Sequence, residues 1–318
     1  MTETPRPLLV VAGATASGKT ALAVEMCRRF DGEVVSADSM QVYAELRIGT
    51  ARPDEEEQRG IPHHLMGFLP LGTSYSVAKY AADAHAVIAD IHRRGKLPVL
   101  CGGTGLYIQA VTENLTYQEQ SGDRTVRDEL RRRAEQEGGE MLLAELTAVD
   151  PDTAARLHKN DIGRIVRALE IYTVTGQTLT QQNEQSRQTP SPYRVCGLMP
   201  DFRDRAALYE RIDQRVDAML AAGLLEEAKA LRACPEADTV RQAIGYKELY
   251  AYLDGACSLQ QAAEDIRRAT RRYAKRQLSW FRHRGDYYPL YADEMSVQEL
   301  YEQAAGRVQD FLKEVTML

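Results

Sequence analysis

The chain has 318 residues, 44% hydrophobic and 27% charged, enough to bury a sizeable core in one large domain or two smaller ones. Its formal net charge of −6 argues against a general nucleic-acid glue. No apolar run approaches the ~20 residues of a membrane helix, and the first seven residues lack the apolar core of a signal peptide.

Residues 8–12 form an apolar run that predicts a strand. Gly13, Ala14, Thr15, Ala16, Ser17, Gly18, Lys19 and Thr20 follow, and then a helix-friendly segment over 19–30. This is the strand–glycine loop–helix context of a P-loop. Glycines let successive N–H groups turn inward around a phosphate, and the helix dipole faces the same anion. Lys19 adds a point charge, and the Thr20 hydroxyl suits a magnesium ion. Residues 33–37 predict a second strand ending at Asp38. A carboxylate there can hold magnesium, take a proton or simply close a turn. Gln41 and Tyr43 offer base-edge hydrogen bonds and stacking, with packing the simpler role for Tyr43. Adjacent His63 and His64 point to opposite sides of a strand and have no third ligand spaced nearby, so they read as structural.

A helix is predicted over 75–94, and a third strand over 97–101, ending in Gly102-Gly103-Thr104. Three buried strands with intervening helices imply a parallel sheet whose ligands sit beyond the carboxyl ends. The P-loop, Asp38 and residues 102–104 therefore converge on one crevice. The domain reading is an α/β core over 1–116 and 193–318, interrupted by a helical insertion over 117–192. Within the insertion, helices are predicted over 123–136, 140–149 and 161–175, and residues 177–192 read as a polar linker. Residues 193–199 return to a strand-like pattern. Helices follow over 203–222, 224–232, 242–253 and 258–282. Arg211 and Arg215 share a helix face that suits a diphosphate or a surface salt bridge. The segment 266–284 carries eight Lys and Arg and no acid, with Arg268, Arg272 and Arg276 stacked on one face. The five cysteines, Cys27, Cys101, Cys196, Cys234 and Cys257, are scattered without a CxxC pair. They indicate neither zinc nor a disulfide framework, and a reducing cytoplasmic location is expected.

The combination resembles the bacterial tRNA dimethylallyltransferases, also called tRNA isopentenyltransferases. The matching segments are residues 13–20, 38–43 (DSMQVY), 48–53 (IGTARP) and 102–107, then Asn160-Asp161 with Arg164 and 167–170. Further matches are Arg211-Ile212 with 215–217, 242–248 (QAIGYKE), and 273–277 (YAKRQ) with Trp280-Phe281. Ala14 and Arg52 stand where the family often has Pro and Lys, and neither departure removes a catalytic group. The resemblance implies a P-loop NTPase-like core. It also implies transfer of a dimethylallyl group from dimethylallyl diphosphate to the exocyclic N6 amine of the adenosine 3′-adjacent to a tRNA anticodon, with diphosphate leaving. By the same resemblance Asp38 is the general base. Thr15 and Arg215 contact the leaving group beside Lys19 and Mg2+, and the loop 13–20 binds the diphosphate. Asp38, Ser39, Met40, Gln41, Thr104, Arg127, Gly163, Arg164, Ile165, Val166, Arg167, Gln242, Ala243, Ile244, Gly245, Tyr246 and Lys247 are expected along the tRNA. The insertion helices would grip the anticodon arm. A monomer is expected. Read without the resemblance, the residues also fit a P-loop small-molecule kinase or a nucleotide-switched RNA-binding module.

Overall fold

The computed structural model describes residues 5–115 and 125–316. Six strands form one parallel sheet: β1 (Arg6–Ala12), β2 (Gly32–Ser36), β3 (His63–His64), β4 (Leu97–Gly102), β5 (Tyr193–Asp201) and β6 (Tyr287–Tyr291). Their order across the sheet is β3-β2-β4-β1-β5-β6.

The central strands are apolar on both sides because helices cover both faces. On β1, Leu8, Val10 and Ala12 point to one face and Leu9 and Val11 to the other. The first set packs with Tyr80, Ala84, Ile88 and Ile91 of the helix Val77–Arg93, and with Tyr107, Ile108 and Phe281. The second packs with Leu22, Ala23 and Met26 of the P-loop helix Lys19–Arg29, and with Leu300, Ala304 and Val308 of the helix Val297–Thr316. Local signals set the helix ends. Ser76 and Ser258 accept N-cap bonds from Lys79 N–H and Gln261 N–H, while Gly176 and Gly285 stop helices in the left-handed conformation.

By compactness the chain divides into Met1–Thr112 with Ser191–Leu318, and Glu113–Pro190. The sheet belongs to the first unit. So does a helical lobe cored by Val42, Tyr43, Leu46, Val216, Leu224, Tyr246 and Ile266. The second unit closes its own core with Leu130, Leu142, Leu146, Ile165, Val166 and Leu169. Residues 123–124, the start of one predicted helix, lie outside the described residues.

Three expectations need correction. Part of the predicted linker is the helix Leu179–Ser186, started by a reciprocal capping box between Thr178 and Gln181. The helix predicted from 242 begins only at Lys247, because Gly245 sits at φ 101° and the preceding residues form turns. The strand β6 and the helix Val297–Thr316 add to the predicted elements and complete the sheet and one of its covering layers.

Candidate functional site: one cavity over the P-loop

The ends of β1, β2 and β4 deliver three loops to one place. After β1 the backbone curls through Ala16 at φ 62° and Gly18 at φ 89°, and the helix starts at Lys19. A non-glycine residue in the left-handed region is strained. Here three side chains clamp the turn. Lys19 Nζ donates to Ala14 O at 3.2 Å, Arg211 Nε donates to Ala16 O at 3.0 Å, and Thr15 N–H donates to Gln277 Oε1 at 2.9 Å.

Asp38 lies two residues past β2. Its Oδ1 accepts from Met40 N–H at 2.9 Å and Gln41 N–H at 3.3 Å, an Asx-type turn. The turn-residue reading is therefore correct for one oxygen. Among the described residues nothing donates to Oδ2. The β4 loop is tied to the same turn, since Thr104 Oγ1 accepts from Ser39 N–H at 3.1 Å and Thr104 N–H donates to Ala37 O at 3.1 Å. A Cβ on Gly102 would collide with the Ala37 carbonyl, so the close approach requires glycine.

These loops open on a cavity of about 580 Å³ lined by Thr15, Lys19, Thr20, Asp38, Arg215 and Gln277, among others. Its basic groups include Lys19, Arg215, Arg272 and Arg276, against the single carboxylate of Asp38. Burial first, and then the nearby Arg215 charge, hold the Lys19 ammonium below the ordinary lysine range. Burial likewise lowers Arg215. Cationic crowding of this kind is relieved by a bound anion. The lowered Lys19 means the folded state binds that proton less readily than the unfolded chain. Its destabilising effect is therefore present below the folded value and is relieved as pH rises through it toward the unfolded value. Lys19→Met is expected to raise the melting temperature of the ligand-free protein at neutral pH. It is also expected to abolish the stabilisation that inorganic diphosphate gives the parent. Thermal melts with and without diphosphate check both, and a variant still stabilised by diphosphate refutes the assignment.

The other predicted residues sort by what they touch. Gln41 does not face a ligand freely: its Nε2 donates to Thr50 O at 3.1 Å and Ala51 O at 3.2 Å, holding one wall of the cavity. Tyr43 is buried, with its hydroxyl donating to Thr73 O at 3.1 Å. Gln242, Ala243, Ile244, Gly245, Tyr246 and Lys247 line the cavity with Ser39 and Met40. Tyr246 is fully buried and donates to Glu227 Oε1 at 2.7 Å. Glu227 was not legible as a site residue. Its carboxylate also accepts from the N–H groups of Arg47, Ile48 and Gly49 at 3.0, 2.9 and 2.9 Å, a convergence that only the fold creates. His63 and His64 are structural at one nitrogen each. His63 Nδ1 is 2.8 Å from Ile61 O, and His64 Nε2 is 2.7 Å from the buried Glu33.

In the second unit, Arg127 holds Glu170 through both oxygens at 3.0–3.1 Å, and Arg167 adds a bond at 3.1 Å. Glu170 is buried and these two arginines neutralise it, while their own side chains remain partly exposed at 32% and 42%. Ile165 and Val166 are core residues whose side chains cannot reach a partner. Gly163 and Arg164 are exposed.

The basic helix Leu259–Arg284 also divides. Arg267, Arg271 and Arg282 pair with Asp217, Asp213 and Asp201 on other elements, and Arg268 pairs with Asp265 one turn earlier. Arg272 and Arg276 have no acidic partner among the described residues and line the cavity, with Arg276 over the Tyr273 ring. The three-arginine face is therefore one paired arginine and two that face the cavity.

A parallel α/β sheet with a clamped P-loop, a carboxylate at the next strand end and a cation-rich cavity is the architecture of a P-loop protein. The IPP transferase family model matches residues 41–284, and the Isopentenyl transferase model matches residues 7–67. The chain is 42% identical over 320 residues to the tRNA dimethylallyltransferase of Bacillus subtilis, covering 97% of this chain and all of that one. It is 43% identical to the enzyme of the same name from Bacillus velezensis, covering 96% and 98%. Among solved structures, it is similar to the tRNA isopentenylpyrophosphate transferase of Bacillus halodurans, with 38% identity, TM-score 0.71 and 98% of each chain covered. A eukaryotic dimethylallyltransferase described as acting on tRNA gives TM-score 0.81 at 30% identity, covering 97% of this chain and 80% of that one. The chain belongs to the IPP transferase family.

Proposed function

We propose that this chain is a tRNA-modifying prenyltransferase. It moves the dimethylallyl group of dimethylallyl diphosphate to the N6 amine of the adenosine 3′-adjacent to the anticodon and releases diphosphate. The observation that carries the reading is that one cavity holds both a diphosphate cradle and a carboxylate with an unengaged oxygen. In this reading the C1–O bond of the donor breaks as the N6–C1 bond forms, and Asp38 Oδ2 takes the amine proton. Charge growing on the departing oxygens is met by the P-loop N–H groups, the Thr15 hydroxyl, Lys19 and Arg215. An exocyclic adenine amine is a poor nucleophile, so holding it at attack distance supplies much of the rate. The target base must leave its stack to reach the cavity.

The donor set fits magnesium. Among the described residues no three His, Cys, Asp or Glu converge, so a protein-only metal cage is absent. Thr20 offers a hard hydroxyl oxygen beside the cradle, and a magnesium ion held there would share it with diphosphate and water oxygens. It would supply positive charge to the leaving group.

Ser39, Met40, Gln242, Ala243, Ile244, Gly245 and Lys247 are proposed to meet the RNA at the cavity. Gln41, Thr104 and Tyr246 support that surface from behind. Exposed Gly163 and Arg164 are proposed to meet the anticodon arm, with Arg127 and Arg167 bracing their helix through Glu170. Among the described residues no helix is long and apolar enough to cross a membrane. We propose a cytoplasmic monomer.

Mass spectrometry of tRNA nucleosides after incubation with the protein, dimethylallyl diphosphate and magnesium tests the function. Prenylated adenosine is expected. Hydrolysis of ATP that depends on tRNA, with no prenylated nucleoside, would overturn it.

The divided basic helix makes a further expectation. Arg268→Gln should leave tRNA affinity close to the parent, because an exposed ion pair contributes only ~0–1 kcal/mol and its arginine is already engaged. Arg272→Gln with Arg276→Gln should weaken tRNA binding and flatten its salt dependence, by a slope of about 0.7 per lost phosphate contact on single strands. It should also weaken the diphosphate donor, because both residues line the cavity with the P-loop. Affinities across a salt series, for tRNA and for the donor, decide whether these arginines serve the cavity.

A further inference from the structure

Among the side chains that the long helix Leu259–Arg284 brings to the cavity is the amide of Gln277. Gln277 is 6% exposed, flanked by buried Ala274, Leu278 and Phe281. Its two amide ends are both engaged. Oε1 accepts from Thr15 N–H at 2.9 Å, and Nε2 donates to Gly103 O at 2.8 Å. A Cβ on Gly103 would collide with that Nε2, so the loop is shaped around the amide. From Gly103 the connection continues. Thr104 is bonded to the Ala37 carbonyl and to Ser39 N–H, the residues on either side of Asp38.

We propose that Gln277 is a positioning residue that sets the diphosphate loop and the base loop in register with each other. This rests on the prenyltransfer reading, in which Thr15 serves the leaving group and Asp38 the amine. Gln277 joins the β1 loop to the β4 loop, and Thr104 of the latter holds the Asp38 turn; among the described residues no other single side chain is bonded to both the β1 and β4 loops. An amide suits this task because it carries an acceptor and a donor at a fixed separation. A carboxylate would keep the Thr15 bond and oppose the Gly103 carbonyl. A thioether of similar length would lose both bonds and leave the Thr15 N–H and Gly103 C=O unpartnered in a buried place. Misplacement of reacting groups by about 1 Å can cost on the order of 10²-fold in rate without weakening distant substrate contacts.

The test uses the full chain carrying Gln277→Glu or Gln277→Met. Single-turnover prenyl transfer, tRNA affinity and binding of inorganic diphosphate are measured between pH 6 and 8, with thermal melts to confirm folding. Gln277→Met is expected to be slower by on the order of 10²-fold at every pH, with tRNA affinity unchanged. Gln277→Glu is expected to be equally slow at pH 8 and to recover relative to the parent as pH falls. A protonated carboxyl reproduces the amide, accepting from Thr15 N–H and donating to Gly103 O, and burial favours that neutral form. Inorganic diphosphate binding should follow the same pattern, and that arm needs no prenyl transfer. A folded Gln277→Met within about threefold of the parent rate would overturn the proposal, as would a Gln277→Glu to parent ratio that does not rise toward low pH. A parent that forms no prenylated adenosine would instead remove the functional reading, and the diphosphate arm would then decide the latch between the loops.

Discussion

Asp38→Asn is expected to lose on the order of 10²–10⁴ in turnover while keeping tRNA affinity and melting temperature. Asparagine retains an oxygen to accept from the Met40 and Gln41 N–H groups, so the turn survives. What it loses is the unengaged Oδ2, replaced by an amide that cannot take a proton. Asp38→Ala should show the same rate loss plus a stability cost of about 1 kcal/mol, the typical effect of removing a side-chain acceptor from a capping turn. Comparing the two variants separates chemistry from folding. Steady-state turnover with tRNA affinity and thermal melts provides the readout. Asp38→Asn turning over within a few-fold of the parent would leave Asp38 as a turn residue only.

Thr15→Ala and Arg215→Ala should each slow the chemical step by about 1.5–3 kcal/mol in activation free energy, the range for a lost charge-assisted contact. The structure makes the two unequal in their side effects. The Thr15 backbone N–H is held by Gln277 whatever the side chain, so alanine there removes the hydroxyl without releasing the loop. Arg215 forms no ion pair among the described residues and carries the strain of lying beside Lys19. Its removal should therefore weaken diphosphate while relieving repulsion in the ligand-free protein. Arg211, one turn earlier, is a control of a different kind, because it braces the loop through the Ala16 carbonyl. Single-turnover rates at saturating tRNA decide the matter. Unchanged chemistry with weaker tRNA binding would move Arg215 from the leaving group to the RNA surface.

The cradle and its flanking strands were legible because their determinants are local. An apolar run, two glycines at fixed spacing and a helix-forming segment lie within about one βα unit. Elements whose stability comes from distant partners were harder to read. Residues 287–291 carry Pro289 in mid-strand, which β6 tolerates because it lies at the edge of the sheet. The strand His63–His64 is two residues long and exists through its pairing with Val34 and Val35. Charge pairing shows the same limit. The segment 266–284 contains no acid, yet Arg271, Arg267 and Arg282 find theirs 58, 50 and 81 positions away. Sequence alone shows which residues carry charge, whereas the fold decides which charges remain unengaged. The division of the basic helix and the role of Glu227 could be seen only there.

Cys101 is the next-to-last residue of β4 and lines the same cavity as the P-loop. Burial pushes its thiol up to about 12, against the opposing pull of Lys19, and its Sγ lies 3.7 Å from the Lys19 carbonyl. At neutral pH the thiol then prevails over the thiolate, the form that attacks carbon. An allylic carbon activated in this cavity would thus meet a sulfur kept in its unreactive form. The enzyme would be guarded against alkylating itself by burial, with the nearby Asp38 charge acting in the same direction. For the same reason soft electrophiles aimed at cysteine would make poor inhibitors of this site, despite a sulfur within its walls.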